Sequence, residues 1–147
     1  MFPRKYRVHI FLTIIALVII FYPVLSRKPD QQRIDASTVA ATGFFELVDA
    51  GQYAQSWENC AAYLKSEVPK EEWITKLSAV RSAAGQFLER KQKDYTYTRN
   101  MNEGIPDGEY MVYYFDSKFQ NKEDLTETVT VMLESDNVWR VAGYFIE

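Results

Sequence analysis

Apolar residues recur with helical spacing in the part of the chain that begins near residue 36. Ala41, Phe44, Phe45 and Val48 stand at i, i+3, i+4 and i+7, which predicts an amphipathic helix over residues 36–50. Gly51 follows at the position where a glycine commonly ends a helix. The first element after residue 35 is therefore expected to be a helix with one buried face.

Two more apolar stripes follow at the same spacing. The second stripe consists of Tyr53, Trp57, Cys60, Ala61 and Leu64, and the third of Trp73, Leu77, Val80 and Ala84. A proline at position 69 and glutamates at 71 and 72 suit the start of the third helix, and a glycine at 85 suits its end. The pattern predicts three helices in succession.

After residue 85 the period of the apolar positions changes from that of a helix to that of a strand. Four strands are predicted over residues 87–99, 109–119, 125–133 and 138–146, separated by turn-forming residues. The last turn, Asp136-Asn137, is predicted to be a two-residue loop. Short connections favour an antiparallel meander, so the sequence predicts an α+β fold with three helices on one face of a four-stranded sheet. The other face would meet water or a partner.

The segment 8–25 is apolar over 18 residues and would span about 27 Å as a helix, close to the thickness of a bilayer core. Arg4, Lys5 and Arg7 precede it and favour a cytoplasmic N-terminus. We predict a single-pass anchor in the inner membrane, with the domain in the periplasm or outside the cell. A cleaved signal peptide and a secreted domain are the alternative. Residues 1–27 would form this anchor or signal segment, 28–35 a linker and 36–147 the α+β domain.

Charge is distributed unevenly along the chain. All 20 acidic residues lie from Asp30 onward, against 14 of the 17 basic ones, so the part after the apolar segment carries a net charge of −6. An acidic domain binds phosphate backbones poorly, and we therefore expect no nucleic-acid partner. The predicted partners are the membrane, through residues 8–25, and an envelope protein or small ligand. A homodimer through the open face of the sheet is a further prediction.

Few residues are available for catalysis. His9 is the only histidine and lies in the apolar segment, and the phosphate-binding glycine loops, the nucleophile elbow and the zinc-protease motif are all missing from the sequence. No metal, cofactor or catalytic residue is predicted. Cys60 is the only cysteine and lies in the second apolar stripe, so it is interpreted as a small buried core residue.

Glu127 is the one charged residue that the pattern directs inward. Alternation along the third strand puts Glu127 on one face with Val129 and Val131, and the threonines on the other. A carboxylate on an apolar face needs a partner or a shifted pKa. Arg90, predicted to share a face with Leu88, is the candidate partner in an ion pair that closes one end of the core. The alternatives are a catalytic or ligand-binding role, or a bulged or edge strand that leaves Glu127 in water.

Aromatic residues complete the set of predicted ligand-binding positions. The set is Trp57, Arg90, Tyr110, Glu127 and Tyr144. Tyr113 and Tyr114 are further tyrosines whose hydroxyls could line a pocket, and cross-strand packing is the competing interpretation for all the tyrosines. Trp57 and Trp73 lie on helical core faces, where they either fill the core or wall a cavity.

An ordered set of local strings resembles a bacterial family, the domain of unknown function 4019 family. The strings are Gly51-x-Tyr53-Ala54-x-Ser56-Trp57, Trp73, Arg81 with Gly85 and Arg90, Pro106-Asp107-Gly108-Glu109-Tyr110, Phe119, Glu127-Thr128-Val129 and Trp139-Arg140-Val141-Ala142-Gly143-Tyr144. They extend over about residues 36–146. Pro69 departs from the pattern, where a Ser or Thr helix cap is expected.

The resemblance implies a cone-shaped fold like that of nuclear transport factor two, in which a curved sheet wraps around helices and leaves a pocket between them. It also implies secretion or membrane anchoring, and no established activity. Proteins of that wider fold include isomerases and dehydratases as well as ligand-binding modules, so the fold does not select a function. Two hypotheses follow: a non-enzymatic binding module, and a small acid/base enzyme that uses Glu127.

Overall fold

The computed structural model describes residues 28–99 and 103–147, which form four helices followed by four strands. The helices are α1 (Gln31–Asp49), α2 (Tyr53–Glu58), α3 (Ala62–Glu67) and α4 (Lys70–Ala84). The strands are β1 (Phe87–Thr98), β2 (Glu109–Phe119), β3 (Lys122–Leu133) and β4 (Trp139–Ile146). The predicted α+β class is confirmed.

Helix α1 begins at Gln31, five residues before the predicted start at 36. Asp30 caps it, because its carboxylate accepts a hydrogen bond of 2.9 Å from the backbone N–H of Arg33. Residues 31–35, predicted as part of a linker, are therefore helical. The end agrees with the prediction, since Gly51 adopts a φ of 73° directly after the last turn.

The second apolar stripe forms two short helices, so the prediction of three helices is wrong and the described residues contain four. The chain leaves the helical conformation between α2 and α3, where Cys60 forms a parallel bridge with Val141 of β4. The N–H of Ala61 donates a hydrogen bond of 2.8 Å to the carbonyl of Val141. Pairing with the edge of the sheet replaces the helical hydrogen bonds at this point.

Helix α4 buries most of the predicted stripe. Trp73, Leu77 and Ala84 are buried, whereas Val80 is 39% exposed and is a correction to the predicted core. Arg81 takes the inward position instead and is only 6% exposed. The helix therefore directs a cation toward the sheet.

The sheet has the strand order β1-β2-β3-β4 with every neighbouring pair antiparallel, which confirms the predicted meander. Strand β2 has the predicted bounds, and β3 begins three residues earlier than predicted. The connection between β3 and β4 is longer than the predicted two-residue loop. It runs over residues 134–138 and includes a left-handed Asn137 with a φ of 60°.

A register irregularity near the start of β1 separates Leu88 from Arg90, which were predicted to share a face. The register shifts between Phe87 and Glu89. Leu88 is consequently 60% exposed, whereas the Arg90 side chain is 10% exposed and points into the domain. A bulge of this kind reorients the side chains that follow it.

The main core lies between α1, α2, α4 and the inner face of the sheet. Phe44, Phe45, Val48, Trp73, Met111, Tyr113, Val129 and Val131 are among its buried residues. A smaller cluster on the outer face contains Tyr110, Met132 and Ala61, which the bridge to β4 brings around the edge of the sheet. Part of the face predicted to be open is therefore covered.

The helices of the described part of the chain are each too short or too polar to span a bilayer. The apolar segment 8–25, on which the predicted anchor rests, lies outside the described residues.

A pair of glycine substitutions tests the backbone assignments. Gly85 has a φ of 82°, and a Cβ there would lie 2.9 Å from Nδ2 of Asn121. We expect Gly85→Ala to lower the free energy of unfolding by about 1–3 kcal/mol. An added Cβ at Gly43, inside α1, would meet no atom within 4 Å apart from the backbone of its own helix, so Gly43→Ala should raise the free energy of unfolding by about 0.5–1 kcal/mol. Denaturant unfolding of both variants is the measurement, and equal effects would contradict the assignments.

Candidate functional site

Glu127 is fully buried and both of its carboxylate oxygens accept hydrogen bonds. Oε2 accepts from Nε of Arg90 at 2.6 Å and from the hydroxyl of Ser117 at 2.5 Å. Oε1 accepts from the hydroxyl of Tyr144 at 2.5 Å and lies 3.5 Å from a guanidinium nitrogen of Arg81. The predicted Glu127–Arg90 ion pair is present, and the alternative of a water-exposed Glu127 is wrong.

A second carboxylate, Asp49 at the end of α1, bridges the same two guanidinium groups. It accepts hydrogen bonds from Arg81 at 2.5 Å and from Arg90 at 2.8 and 3.1 Å. We call Asp49, Arg81, Arg90, Ser117, Glu127 and Tyr144 the polar cluster. Its two cations balance its two anions, so burial leaves no net charge to be neutralised.

Aromatic rings close the polar cluster from the apolar side. The guanidinium carbon of Arg90 lies 3.6 Å from the ring centroid of Phe45 and 4.3 Å from that of Phe87. The guanidinium carbon of Arg81 lies 4.6 Å from the ring centroid of Phe119. Planar guanidinium groups stack on aromatic faces while their edges bond carboxylates, which explains two arginines at positions that must be both charged and packed.

Two members of the polar cluster have shifted pKa values. Burial acts to lower the pKa of Arg90, but hydrogen bonds and charge attraction from Asp49 and Glu127 outweigh it and raise the pKa. Burial, followed by the nearby charge of Glu127, raises the pKa of the Tyr144 hydroxyl, which stays protonated and donates. Both groups are therefore hydrogen-bond donors at neutral pH.

Three of the five predicted ligand-binding residues meet in the polar cluster: Arg90, Glu127 and Tyr144. Tyr110 lies on the outer face of the sheet, where its hydroxyl donates to the carbonyl of Pro106 at 2.6 Å. The indole N–H of Trp57 donates to the carbonyl of Val68 at 2.9 Å, and its ring packs half-buried against the core. Tyr110 and Trp57 therefore lie outside the polar cluster, at two different places in the domain.

Sequence reasoning missed Asp49, Arg81 and Ser117 as members of the cluster. A signal existed for two of them, because Arg81 follows Leu77 by four residues and Asp49 follows Phe45 by four. Residues at that spacing share a helix face. Arg81 and Asp49 each continue an apolar helical stripe, and a charged residue is predicted on the inner face of the sheet. This combined pattern would have identified both residues.

An apolar groove of about 660 Å³ lies between the helices and the last part of β4. We call it the β4 groove. It is lined on the helical side by Tyr63, Leu64, Glu67, Val68, Trp73, Lys76, Leu77, Ala79 and Val80, and on the strand side by residues 142–146. Tyr144 connects the two features, because it lines the groove while its hydroxyl bonds Glu127. The volume is in the range of ligand-binding pockets.

The family described as protein of unknown function DUF4019 matches residues 40–144, which is most of the chain. The chain belongs to this family. No curated protein and no solved structure matches the chain. Membership confirms the resemblance noted from the sequence strings, and the matched range includes every member of the polar cluster.

The polar cluster predicts a large stability loss when one charge is removed. Glu127→Gln keeps the shape but leaves two buried guanidinium groups facing a single carboxylate, so we expect unfolding to cost about 3–5 kcal/mol less than in the unchanged protein. Denaturant unfolding followed by tryptophan fluorescence measures the difference.

The matched control is Glu123→Gln, which removes an exposed carboxylate from the same strand. This variant should differ from the unchanged protein by no more than about 0.5 kcal/mol. Similar losses for both variants would contradict a stabilising role of the buried cluster.

The Cys60 thiol should be unreactive in the folded protein. It is fully buried, it donates to the carbonyl of Ser56 at 3.2 Å, and burial raises its pKa to about 12. The pKa of Cys60 in the folded protein exceeds the unfolded value of about 8.5. The contribution of the thiol to the free energy of unfolding is therefore complete below about pH 8.5 and is lost as the pH rises toward 12. Stability should therefore fall more steeply above about pH 8.5 than in Cys60→Ala. Parallel alkaline curves for the two proteins would refute this.

Proposed function

We propose that this protein is a non-enzymatic binding module, anchored in the inner membrane through residues 8–25, that holds a partner in the β4 groove outside the cytoplasm. The observation that carries the proposal is the groove itself. It combines a buried Trp73 and Leu77 with a half-exposed Val80 and a Phe145 that is 68% exposed. Apolar surface that remains accessible in a folded domain commonly marks an interaction site.

The state of the polar residues supports binding rather than acid/base chemistry. Glu127, the candidate general base, has no exposed surface and accepts hydrogen bonds at both oxygens. A catalytic base must reach a substrate proton directly or through a water molecule. Glu127 lines none of the three best-formed pockets of the described residues, which favours the binding hypothesis over the acid/base alternative.

We also propose that the domain is a variant of the nuclear-transport-factor-two cone. Helices on one face of a bulged, four-stranded antiparallel sheet support this assignment. In that fold the ligand pocket lies between the sheet and the helices. In this domain the polar cluster and the rings of Phe45 and Phe119 lie between the helices and the sheet, and the β4 groove lies beside β4.

The distance between the predicted anchor and the domain is short, which supports a module held at the membrane surface. The apolar segment ends at residue 25 and α1 begins at Gln31, so only about five residues separate them. A domain on so short a connection has little freedom to leave the membrane, and it would meet partners that lie in or near the bilayer.

Site-specific photo-crosslinking in cells tests the groove. A photoreactive residue placed at Val80 of the full chain should form an adduct, whereas the same residue at Lys91, exposed on β1, should not. Ala79→Trp, which fills the groove, should abolish the adduct at position 80. An adduct that persists in the filled variant, or that forms equally at position 91, would contradict the proposal.

A reporter fused to the C-terminus of the full chain tests the location. An enzyme that is active only outside the cytoplasm should be active in this fusion, because the basic residues before the apolar segment favour a cytoplasmic N-terminus. Activity only from a cytoplasmic reporter would remove the membrane part of the proposal and leave the groove as a separate question.

A further inference from the structure

The last part of β4 is an unpaired edge of the sheet. β4 is the final strand in the order β1-β2-β3-β4, and among the described residues its other side pairs only with the segment at Cys60 and Ala61. That pairing ends at Val141. From residue 142 to residue 146 the strand edge faces the β4 groove, since these residues form one of its walls.

The hydrogen bonds at the end of β4 fix which backbone groups point into the groove. Glu147 and Thr126 exchange both of their backbone hydrogen bonds, at 3.0 and 2.7 Å. In an antiparallel ladder the residues that bond the neighbouring strand alternate with residues that point away from it. Ile146 and Tyr144 lie one and three residues before Glu147. Their N–H and C=O groups therefore point away from β3, toward the groove.

The groove thus offers two kinds of complementarity at once. It presents a donor and an acceptor on each of two residues in strand register, and beside them the apolar floor formed by Trp73, Leu77 and Val80. An extended polypeptide has matching backbone groups at the same repeat, and its alternate side chains would face that floor. A small apolar molecule would leave the four backbone groups without partners.

The dimensions and charges of the groove describe the occupant further. Residues 142–146 extend over about 17 Å, which accommodates about five residues of an added strand. Helix α3 and the Ala61–Val141 hydrogen bond close one end, so the strand enters from the end near Ile146. Glu67 and Lys76 are the charged residues of the lining. Lys76 is paired with Glu72 at 2.6 Å, whereas Glu67 takes part in no ion pair of the described residues, so a basic side chain of the occupant would be attracted to Glu67.

We propose that the β4 groove binds an extended segment of a partner protein by strand addition to β4, with apolar side chains at alternate positions and a basic residue beside Glu67. This inference rests on the proposed binding function and names the chemistry of the partner. The polar cluster supports the site, because the Tyr144–Glu127 hydrogen bond holds the strand whose backbone receives the segment.

The test uses the full chain in lipid nanodiscs and a pool of synthetic peptides of about eight residues, with Val, Ile, Leu or Phe at alternate positions and Thr or Lys between them. Hydrogen exchange by NMR is the direct readout. On binding, the amide protons of Tyr144 and Ile146 should exchange at least about tenfold more slowly, because strand addition converts free edge amides into bonded ones.

Backbone modification separates strand addition from simple apolar contact. A peptide that binds is resynthesised with methylated amide nitrogens. Methylation of the peptide amides that face β4 should abolish binding, whereas methylation of the alternate peptide amides should not. In the protein, Ile146→Pro removes an outward N–H and should abolish the exchange protection of Tyr144. Ile146→Ala keeps that N–H and should preserve the protection. Glu67→Gln should weaken lysine-containing peptides by about two- to fivefold and reduce the salt dependence.

The outcomes are distinguishable from failure of the proposed function. If peptides bind equally well with either set of amides methylated, strand addition is overturned and the groove remains an apolar binding site. If no peptide is retained while the adduct at position 80 still forms in cells, the inference of an extended segment is overturned and the proposed binding function stands. Protection of both amides before any peptide is added would mean that a second copy or the N-terminal segment of this chain occupies the groove, which also overturns the inference.

Discussion

The buried carboxylate of Glu127 is the constraint around which the domain is arranged. A charge with no exposure to water is stable only when surrounding groups replace the lost hydration. Here two arginines, a serine and a tyrosine do so, and they come from four different elements: α4, β1, β2 and β4. Asp49 adds α1 to the same network. One side chain on β3 therefore fixes the relative positions of all the long elements.

The network also explains the position of the β4 groove. The hydroxyl of Tyr144 bonds Glu127, and the Tyr144 ring packs edge-on against Phe44 at a centroid distance of 5.2 Å. Earlier in β4, Val141 is bonded by the segment between α2 and α3. The end of β4 is consequently fixed on its inner face and against β3, while its other edge has no neighbouring strand among the described residues. A preorganised edge of this kind lowers the entropic cost of receiving a partner.

Under the proposed function, the same arrangement separates the residues that stabilise the domain from the surface that binds a partner. The charged residues of the polar cluster join the elements, and among the described residues no buried side-chain nitrogen or oxygen lacks a hydrogen-bond partner. The accessible surface suited to a partner is apolar and includes Trp73, Val80 and Phe145. The inward charge of Glu127 is therefore explained by the packing of the fold. The surface proposed to bind a partner is the neighbouring β4 groove.

The sequence alone determined the class of the fold, because the change from helical to alternating periodicity at residue 85 is a local property of the chain. It also identified Glu127 as inward, since strand alternation directs a side chain independently of what surrounds it. Arg90 was the predicted partner, but on a face shared with Leu88, and the two residues in fact point in different directions. The break of the second stripe at Cys60 and the separation of Leu88 from Arg90 were decided by tertiary structure. Each depends on contact with a strand distant in sequence, because Val141 bonds Ala61 and the register with β2 shifts after Phe87. The free edge beside an apolar groove arises in the same way, since strand order and helix placement together determine which backbone groups of β4 remain open.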